Sequence, residues 1–341
     1  MKRRWLFWLL VVAFLVLIVS RVTEISELID TLGQGRWEWV LAAALAQMAY
    51  HTVYTGLFQS AFHVVDVESQ VKDLLPVRFA SLFVNAAVPI ANLGGTALFM
   101  DDAAQRGESA SRAAAGVVLA LLADLGAFAP LMIVGLIYLG VRHTLQIYQA
   151  LGAGIVLLMA VGLGGLLLLG RWEERLHRLF DRAQSLVGRV AGWFNWSSPL
   201  TEDWAERSAT EFADAATAVA AHPWRLVRTF CVALFGHLIN LASLCVLVLA
   251  FYRPIGFGPL MAGYAMSLTF RIASITPQGV GVAEGVVVIA YISLGMPAAK
   301  ATAVTLAFHG LSVWLPVLIG FLVLRQVKTF QAARHARTEA Q

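Results

Sequence analysis

Six apolar stretches able to cross a bilayer constrain this chain more than any other feature of its sequence. A helix needs roughly 20 apolar residues to cross a hydrocarbon core about 30 Å thick. Hydrophobic residues make up 59% of the 341 residues and charged residues only 13%, whereas a soluble domain is about a quarter charged. We therefore predict an all-α, polytopic membrane helical bundle. The predicted spans are Trp5–Ser20, Trp37–Phe62, Ala113–Gly140, Ile147–Gly170, Leu226–Tyr252 and Ala301–Leu324.

The N-terminus and the distribution of basic residues predict the topology. Basic residues precede Trp5–Ser20 as in a signal peptide, but no clean small-x-small cleavage site follows, so we expect an uncleaved first helix. With both termini cytoplasmic, 19 of the 25 Lys and Arg lie inside, five lie outside and Arg271 lies within an apolar segment. An excess of inner basic residues is the expected bias of a protein in the cytoplasmic membrane.

One integral membrane domain, residues 1–341, is expected to have two halves and a polar connection. The halves are 5–170 and 226–325, and 326–341 is a cytoplasmic tail. In the connection, 171–225, apolar residues recur every three to four positions and predict an amphipathic surface helix, followed by a second helix over Thr201–Ala221. Two interpretations fit: recognition of anionic headgroups, or an ordinary linker between the halves.

Two further apolar regions, Leu74–Met100 and Phe257–Gly295, are interrupted by proline and glycine and predict broken or re-entrant helices. Thr96 is placed to cap the helix that restarts in the first region. Paired interruptions of this kind point to a substrate site in inverted-repeat transporters, and the topology inverts the two regions. Free N–H groups at the restarted helices would suit a phosphate. Two packing kinks are the alternative. The candidate substrate-binding residues are Asn85, Pro89, Asn92, Gly94, Gly95, Thr96, Arg271, Thr276, Pro277, Gly279, Gly281 and Glu284.

Titratable residues inside the apolar segments are the next candidates, because charge is costly at membrane depth. Arg271 can meet a lipid phosphate or pair with Glu284, which is also placed to cap its own helix. Asp124, Glu284 and His309 are coupling or relay candidates. A structural role is an equal alternative for Asp124, and for His309 a satisfied interior histidine is the favoured interpretation.

The interrupted segments resemble the flippase-like family that includes the transmembrane region of lysylphosphatidylglycerol synthases. The resemblance covers roughly residues 5 to 325, and its most specific parts are Asn85-x3-Pro89-x4-Gly94-Gly95 and Pro277-x-Gly279-x-Gly281-x2-Glu284. The resemblance implies movement of phospholipids or polyprenyl-phosphate-linked lipids between leaflets.

The chain departs from this family at several places. Family members often carry Glu-Arg a few residues before the aspartate that matches Asp124, where this chain has Leu121-Leu122. An arginine common in the last helix is His309 here. The synthases also carry a large aminoacyltransferase domain, so we expect no aminoacyl-lipid synthesis by this chain alone.

The sequence is compatible with four classes of function. The leading one is a lipid flippase or scramblase that is not an enzyme. An enzyme acting on lipid phosphates would use Asp101-Asp102-x3-Arg106, although the third acid of such motifs is missing. A non-transporting subunit would dock a cell-envelope enzyme through 171–225, and an ion or small-solute carrier is the fourth class.

The expected partners are membrane lipids of anionic character, with a cell-envelope enzyme as an alternative and no nucleic acid. We expect no cofactor and no metal, because the sequence has no Cys/His cluster and no nucleotide-binding motif. Any energy would then come from an ion gradient, from a partner or from the lipid gradient itself.

Overall fold

The computed structural model describes residues 29–87, 93–169, 172–193, 204–274 and 276–324, and these residues form helices without a β-strand. The predicted span Trp5–Ser20 and the tail 326–341 lie outside the described residues. The helices are α1 Trp37–Val64, α2 Val71–Ala87, α3 Leu93–Gln105, α4 Ala110–Val141, α5 Ile147–Leu169, α6 Glu173–Trp193, α7 Trp204–Ala221, α8 Pro223–Phe251, α9 Phe257–Ala273, α10 Val282–Ser293, α11 Ala298–His309 and α12 Leu315–Val323. A 3₁₀ turn, Pro277–Gly279, precedes α10, and a π-helical turn, Gly310–Trp314, joins α11 to α12.

Four described helical segments are long and apolar enough to cross a membrane: α4, α5, α8 and the continuous run Ala298–Val323. They match four of the predicted spans within a few residues. The protein is therefore a membrane-embedded helical bundle. Helix α1 coincides with the predicted span Trp37–Phe62 but is not among these four. Polar side chains interrupt its apolar sequence, and several of them are buried inside the bundle.

The polar face of α1 packs along α8. Gln47 Nε2 donates to Asn240 Oδ1 at 2.9 Å and lies 3.0 Å from Ser243 Oγ. One end of the same interface is held by the hydroxyls of Ser60 and Thr229, which are 2.9 Å apart. Hydrogen bonds between helices stabilise packing where apolar side chains are equally well solvated by lipid. The polar residues of α1 therefore join the two halves of the chain.

The chain reverses between α2 and α3. The backbone N–H of Gly95 donates to Asn85 Oδ1 at 2.6 Å, whereas ten residues of continuous helix would separate these positions by about 15 Å. A Cβ at Gly95 would lie 2.4 Å from the carbonyl oxygen of Ser81, so only glycine allows this approach. Helix α3 begins at Leu93, so Thr96 lies inside the first turns, and its predicted role as an N-cap was wrong.

A second reversal separates α9 from α10. Gly263 of α9 lies against the ring of Tyr291 near the end of α10, so these helices also pack side by side. Between them Gly279 and Gly281 have φ of 73° and 85°, in the left-handed region that glycine tolerates. Both predicted interruptions are thus real breaks in the helices. The re-entrant path of each pair through the membrane and the inverted repeat remain predictions.

The polar connection contains two helices, α6 and α7, that pack on one another. Helix α7 buries Ala209, Phe212 and Ala215 against the bundle. Its Glu211 carboxylate accepts a hydrogen bond from the Ser109 hydroxyl at the start of α4, at 2.5 Å. The second predicted surface helix therefore begins at Trp204 and is part of the folded body.

Candidate functional site

A cavity of about 210 Å³ lies where the two helix breaks approach each other. Asn85 and Thr96 line it from the first break, and Arg271 and Gln278 line it from the second. Helix α2 also contacts the 3₁₀ turn Pro277–Gly279 directly. The two interrupted segments, distant in sequence, therefore share one concave site. Its other walls are Tyr50, His51, Tyr54, Phe58, Arg78, Ser81, Leu82, Phe99, Leu121, Asp124, Leu125, Met159, Leu163, His237, Leu268, Ile272 and Ser312.

Arg271 lies in the last turn of α9, where the helix ends before the second break. The chain folds back so closely that a Cβ at Gly279 would lie 2.7 Å from the Arg271 Cα. Gly279 therefore allows the break to pack against the backbone that carries Arg271. The Arg271 side chain lines the cavity wall, and its role in binding a substrate stays a prediction.

A second arginine, Arg78 of α2, lines the same cavity. Its guanidinium lies 4.0 Å from the centre of the Tyr54 ring, a cation–π contact. Its Nε is buried and has no hydrogen-bond partner among the described residues. Arg78 is one of the 19 basic residues that the predicted topology places inside, and it was missed as a site residue. A charge within the interrupted region Leu74–Met100 was the signal that could have found it.

His51 of α1 also lines the cavity, and its side chain is 1% exposed. Both ring nitrogens are buried without a hydrogen-bond partner in the described part of the chain. A neutral imidazole carries one donor and one acceptor, and buried polar groups are normally satisfied by protein, water or a ligand. His51 therefore offers two unused polar atoms at the cavity. Sequence reasoning missed it, because the sequence does not show toward which neighbouring helices a single histidine side chain points.

The acidic group of the cavity is Asp124 of α4. The Tyr54 hydroxyl donates to Asp124 Oδ2 at 3.2 Å. His237 Nε2 lies 3.1 Å from the backbone carbonyl oxygen of Asp124 and 3.2 Å from its Oδ1. His237 Nδ1 is in turn 2.8 Å from the hydroxyl of Tyr264. Asp124 was predicted as a relay candidate, but its partners on α1 and α8 were missed, as was the contact of His237 with Tyr264 of α9.

Glu284 and His309 form the second buried pair of acid and imidazole. Glu284 Oε2 accepts the backbone N–H of Gly281 at 2.7 Å, as expected for a helix cap. Its other oxygen lies 3.0 Å from His309 Nε2. Both side chains are largely buried, at 14% and 8% exposed. The two coupling candidates of the second half thus contact one another, next to the π-helical turn whose Ser312 lines the cavity.

Gln278 is the strained residue of the second break. Its φ is 55°, an uncommon value for a residue with a side chain, and it is buried at the cavity wall. Such strain persists only where the surrounding structure imposes it, and it is frequent at functional sites. Two neighbouring hydroxyls, Ser274 Oγ and Thr276 Oγ1, are 2.8 Å apart and order the start of the break.

For the remaining candidate residues the structure gives at most a position in the chain path. Gly94 lies in the first turn of α3, and Pro277 opens the 3₁₀ turn. Pro89 and Asn92 lie outside the described residues.

The acidic motif considered for an enzyme lies at the end of α3. Asp102 Oδ2 pairs with Arg106 Nε at 3.0 Å, and Asp101 accepts a hydrogen bond from Gln105 at 2.5 Å. Within the described ranges, no group of three or more His, Cys, Asp or Glu side chains could hold a metal ion. The motif therefore acts as a local charge cluster that holds the end of α3.

One wall of the cavity is also part of an exposed apolar surface. Helix α5 contributes Met159 and Leu163, and Met159 is 42% exposed on the outside of the described bundle. The same helix exposes Leu158 and Val161, each 71% exposed. The polar cavity is thus separated from the exposed side of α5 by apolar side chains.

Comparison with known proteins gives two matches. Residues 5–320 match the family described as "Lysylphosphatidylglycerol synthase TM region". A relative, UPF0104 membrane protein MJ1595 of Methanocaldococcus jannaschii, is 26% identical over 105 residues, which is 31% of this chain and 31% of that protein. The match therefore spans about a third of the relative's length.

Proposed function

Because the chain belongs to the lysylphosphatidylglycerol synthase transmembrane-region family, we propose that it moves a phosphate-bearing anionic lipid between the leaflets of the membrane. The substrate class is a phospholipid or a polyprenyl-phosphate-linked lipid. The chain acts as a flippase or scramblase and performs no covalent chemistry. Its place is the cytoplasmic membrane, with both termini on the cytoplasmic side.

The observation that carries this proposal is the pair of arginines at one cavity between two helix breaks. Arg78 and Arg271 bring two positive charges, and Asp124 brings one negative charge. With neutral histidines the wall has a net charge of +1, which suits a phosphodiester with one negative charge. Guanidinium groups bind phosphate oxygens through paired N–H donors, and His51 adds two polar atoms that have no hydrogen-bond partner among the described residues.

The size of the cavity indicates that only the headgroup enters. Sites for drug-sized molecules usually measure about 300–1,000 Å³, and this cavity measures about 210 Å³. A phosphate with a small headgroup fits such a volume, but acyl chains do not. The apolar wall around Met159 and Leu163 offers a lateral path. The headgroup would pass through the protein while the chains remain in lipid.

The direct test is reconstitution of the full chain into phosphatidylcholine vesicles that contain a fluorescent phosphatidylglycerol or a fluorescent polyprenyl phosphate. A membrane-impermeant quencher reports how fast label from the inner leaflet reaches the outer one. We expect faster loss of protected fluorescence than in protein-free vesicles for at least one phosphate lipid. Fluorescent glucosylceramide, which has no phosphate, should not be accelerated. Rates equal to those of protein-free vesicles for both phosphate lipids would refute the proposal.

The alternative of a docking subunit would use the connection that contains α6 and α7. Helix α7 uses its apolar face to pack on the bundle, so that face is not available to a partner. The polar outer face of α6 and α7 is the remaining surface for docking. Deletion of 172–221 would abolish copurification of a partner, whereas Arg271→Ala would leave the partner bound.

A further inference from the structure

Asp124 and His237 form a pair of titratable groups at the edge of the cavity and inside the bundle. Their side chains are 19% and 2% exposed, and Asp124 Oδ1 lies 3.2 Å from His237 Nε2. Both residues line the cavity. Asp124 is therefore the more exposed of the two groups, and His237 is buried.

Two tyrosines fix this pair on either side. The Tyr54 hydroxyl donates to the free oxygen of the carboxylate, and the Tyr264 hydroxyl lies 2.8 Å from His237 Nδ1. An imidazole whose two nitrogens both have partners can hold or release a proton without losing its position. The pair can therefore exist as carboxylate and neutral imidazole, or with one additional proton shared between them.

We propose that the Asp124–His237 pair binds one proton that crosses the membrane together with the anionic lipid. This inference rests on the proposed function and adds its energy source. The proton binds to the pair from the side on which the lipid enters, and it leaves to the opposite side when the lipid is released. One proton with one monoanionic lipid is an electroneutral unit, so a pH gradient drives its movement and a voltage does not.

The charges around the pair explain why the two ligands would bind together. Arg78 of α2, Arg271 of α9 and a proton on the pair would bring three positive charges to one cavity. A bound phosphate offsets these two guanidiniums, so proton and phosphate stabilise each other's binding. Such coupling is reciprocal: each ligand raises the affinity of the other by the same factor.

The other described residues near the pair do not form a second acid–imidazole pair on the cavity wall. Helix α1 contributes Tyr50, His51 and Tyr54, and α5 contributes only the apolar Met159 and Leu163. The Glu284–His309 pair is on α10 and α11, of which α11 packs against α8. It lies beyond the cavity lining and is tested separately below.

The test measures a steady-state distribution. Vesicles of phosphatidylcholine with a trace of fluorescent phosphatidylglycerol carry a pH gradient of about one unit, with valinomycin and equal potassium to remove any voltage. At one proton per lipid, wild-type protein should concentrate the label about tenfold in the leaflet on the alkaline side, because one pH unit is a tenfold difference in proton activity. Without the gradient the label should be equally distributed.

Substitutions at the pair should remove the response to pH. We expect Asp124→Asn and His237→Gln to give an equal distribution under the same gradient. A slower protein reaches the same steady state as a faster one, so altered rates do not affect this readout. Asp214→Asn, the same change at an exposed position of α7, is the matched control and should keep the tenfold ratio.

The outcomes separate this inference from the proposed function. Wild-type protein that exchanges lipid but ignores the pH gradient overturns proton coupling and leaves lipid movement intact. A tenfold ratio retained by Asp124→Asn and His237→Gln also overturns the role of the pair, and its loss in Glu284→Gln alone assigns that role elsewhere. Wild-type protein that moves no lipid overturns both.

A second measurement needs no variant. Wild-type protein in weakly buffered detergent solution is mixed with short-chain phosphatidylglycerol, and a pH indicator reports proton uptake. About one proton should be taken up for each lipid bound. Saturable binding without proton uptake would overturn the inference.

Discussion

Replacement of Arg271 by alanine should slow lipid transfer in vesicles by about tenfold or more while the protein remains folded. A hydrogen bond to a charged group contributes about 1.5–3 kcal/mol, and each 1.4 kcal/mol is a factor of ten. Arg271 lines the cavity at the end of α9. Its guanidinium is therefore placed to bind a phosphate that crosses the site. Arg271→Lys should lie between alanine and wild type, because it keeps the charge and loses the planar fork.

The matched control is Arg142→Ala, the same change at an exposed residue after the end of α4. It should transfer lipid at the wild-type rate. The thermal midpoint of each variant in detergent reports whether the fold is kept. Wild-type transfer by Arg271→Ala would remove this arginine from the lipid path.

Replacement of Gly320 by alanine should destabilise the bundle strongly. An added Cβ would lie 2.1 Å from the carbonyl oxygen of Phe79 and 3.0 Å from the Cβ of Phe83. Helix α12 would have to move away from α2, which carries Arg78. Overpacking of this kind costs about 1–3 kcal/mol, so we expect the thermal midpoint to fall by about 1–4 °C.

Gly154→Ala is the control for this substitution. Gly154 lies on α5, and a Cβ there would meet no atom within 4 Å. Alanine favours a helix over glycine by about 1 kcal/mol, so the midpoint should stay or rise. Equal midpoints for the two variants would show that α12 does not approach α2 as closely as described.

Much of this architecture is readable from local sequence. Apolar length alone located α4, α5, α8 and the run Ala298–Val323 within a few residues. Proline and glycine located both helix breaks, and the first-turn position of Glu284 predicted its capping bond to Gly281. These features depend on neighbours within a few positions of the chain, so sequence patterns record them.

Contacts between residues that are far apart in the chain could not be predicted from the sequence. Tyr54 and Asp124 are 70 positions apart, and Asp124 and His237 are 113 apart. A lone Asp, His or Tyr in a helix points in a direction set by how the helices pack, and packing depends on both surfaces. Helix α1 illustrates this: its sequence suggested an ordinary span, but its polar side chains hold α8 and line the cavity.

The same reason explains the error at Thr96 and the omission of Arg78. A threonine after Gly94 and Gly95 has the local signature of an N-cap, but α3 begins at Leu93. Arg78 fitted the charge bias of an inner loop, and only the contact of α2 with Tyr54 and the second break brings it to the cavity. Charge statistics assign a side of the membrane but not the direction of a side chain.

Blocking the cavity tests the central claim most directly. Leu121 is a partly exposed, apolar residue of the cavity wall, and Cys231 and Cys245 are the chain's two cysteines. In a Cys231→Ser, Cys245→Ser background, Leu121→Cys is reconstituted and transfer of fluorescent phosphatidylglycerol is measured before and after reaction with a bulky maleimide. Thr52→Cys, on the exposed side of α1, is the labelling control. We predict that the maleimide stops transfer at Leu121→Cys and leaves Thr52→Cys unaffected. Undiminished transfer by fully labelled Leu121→Cys would show that lipid does not pass through this cavity.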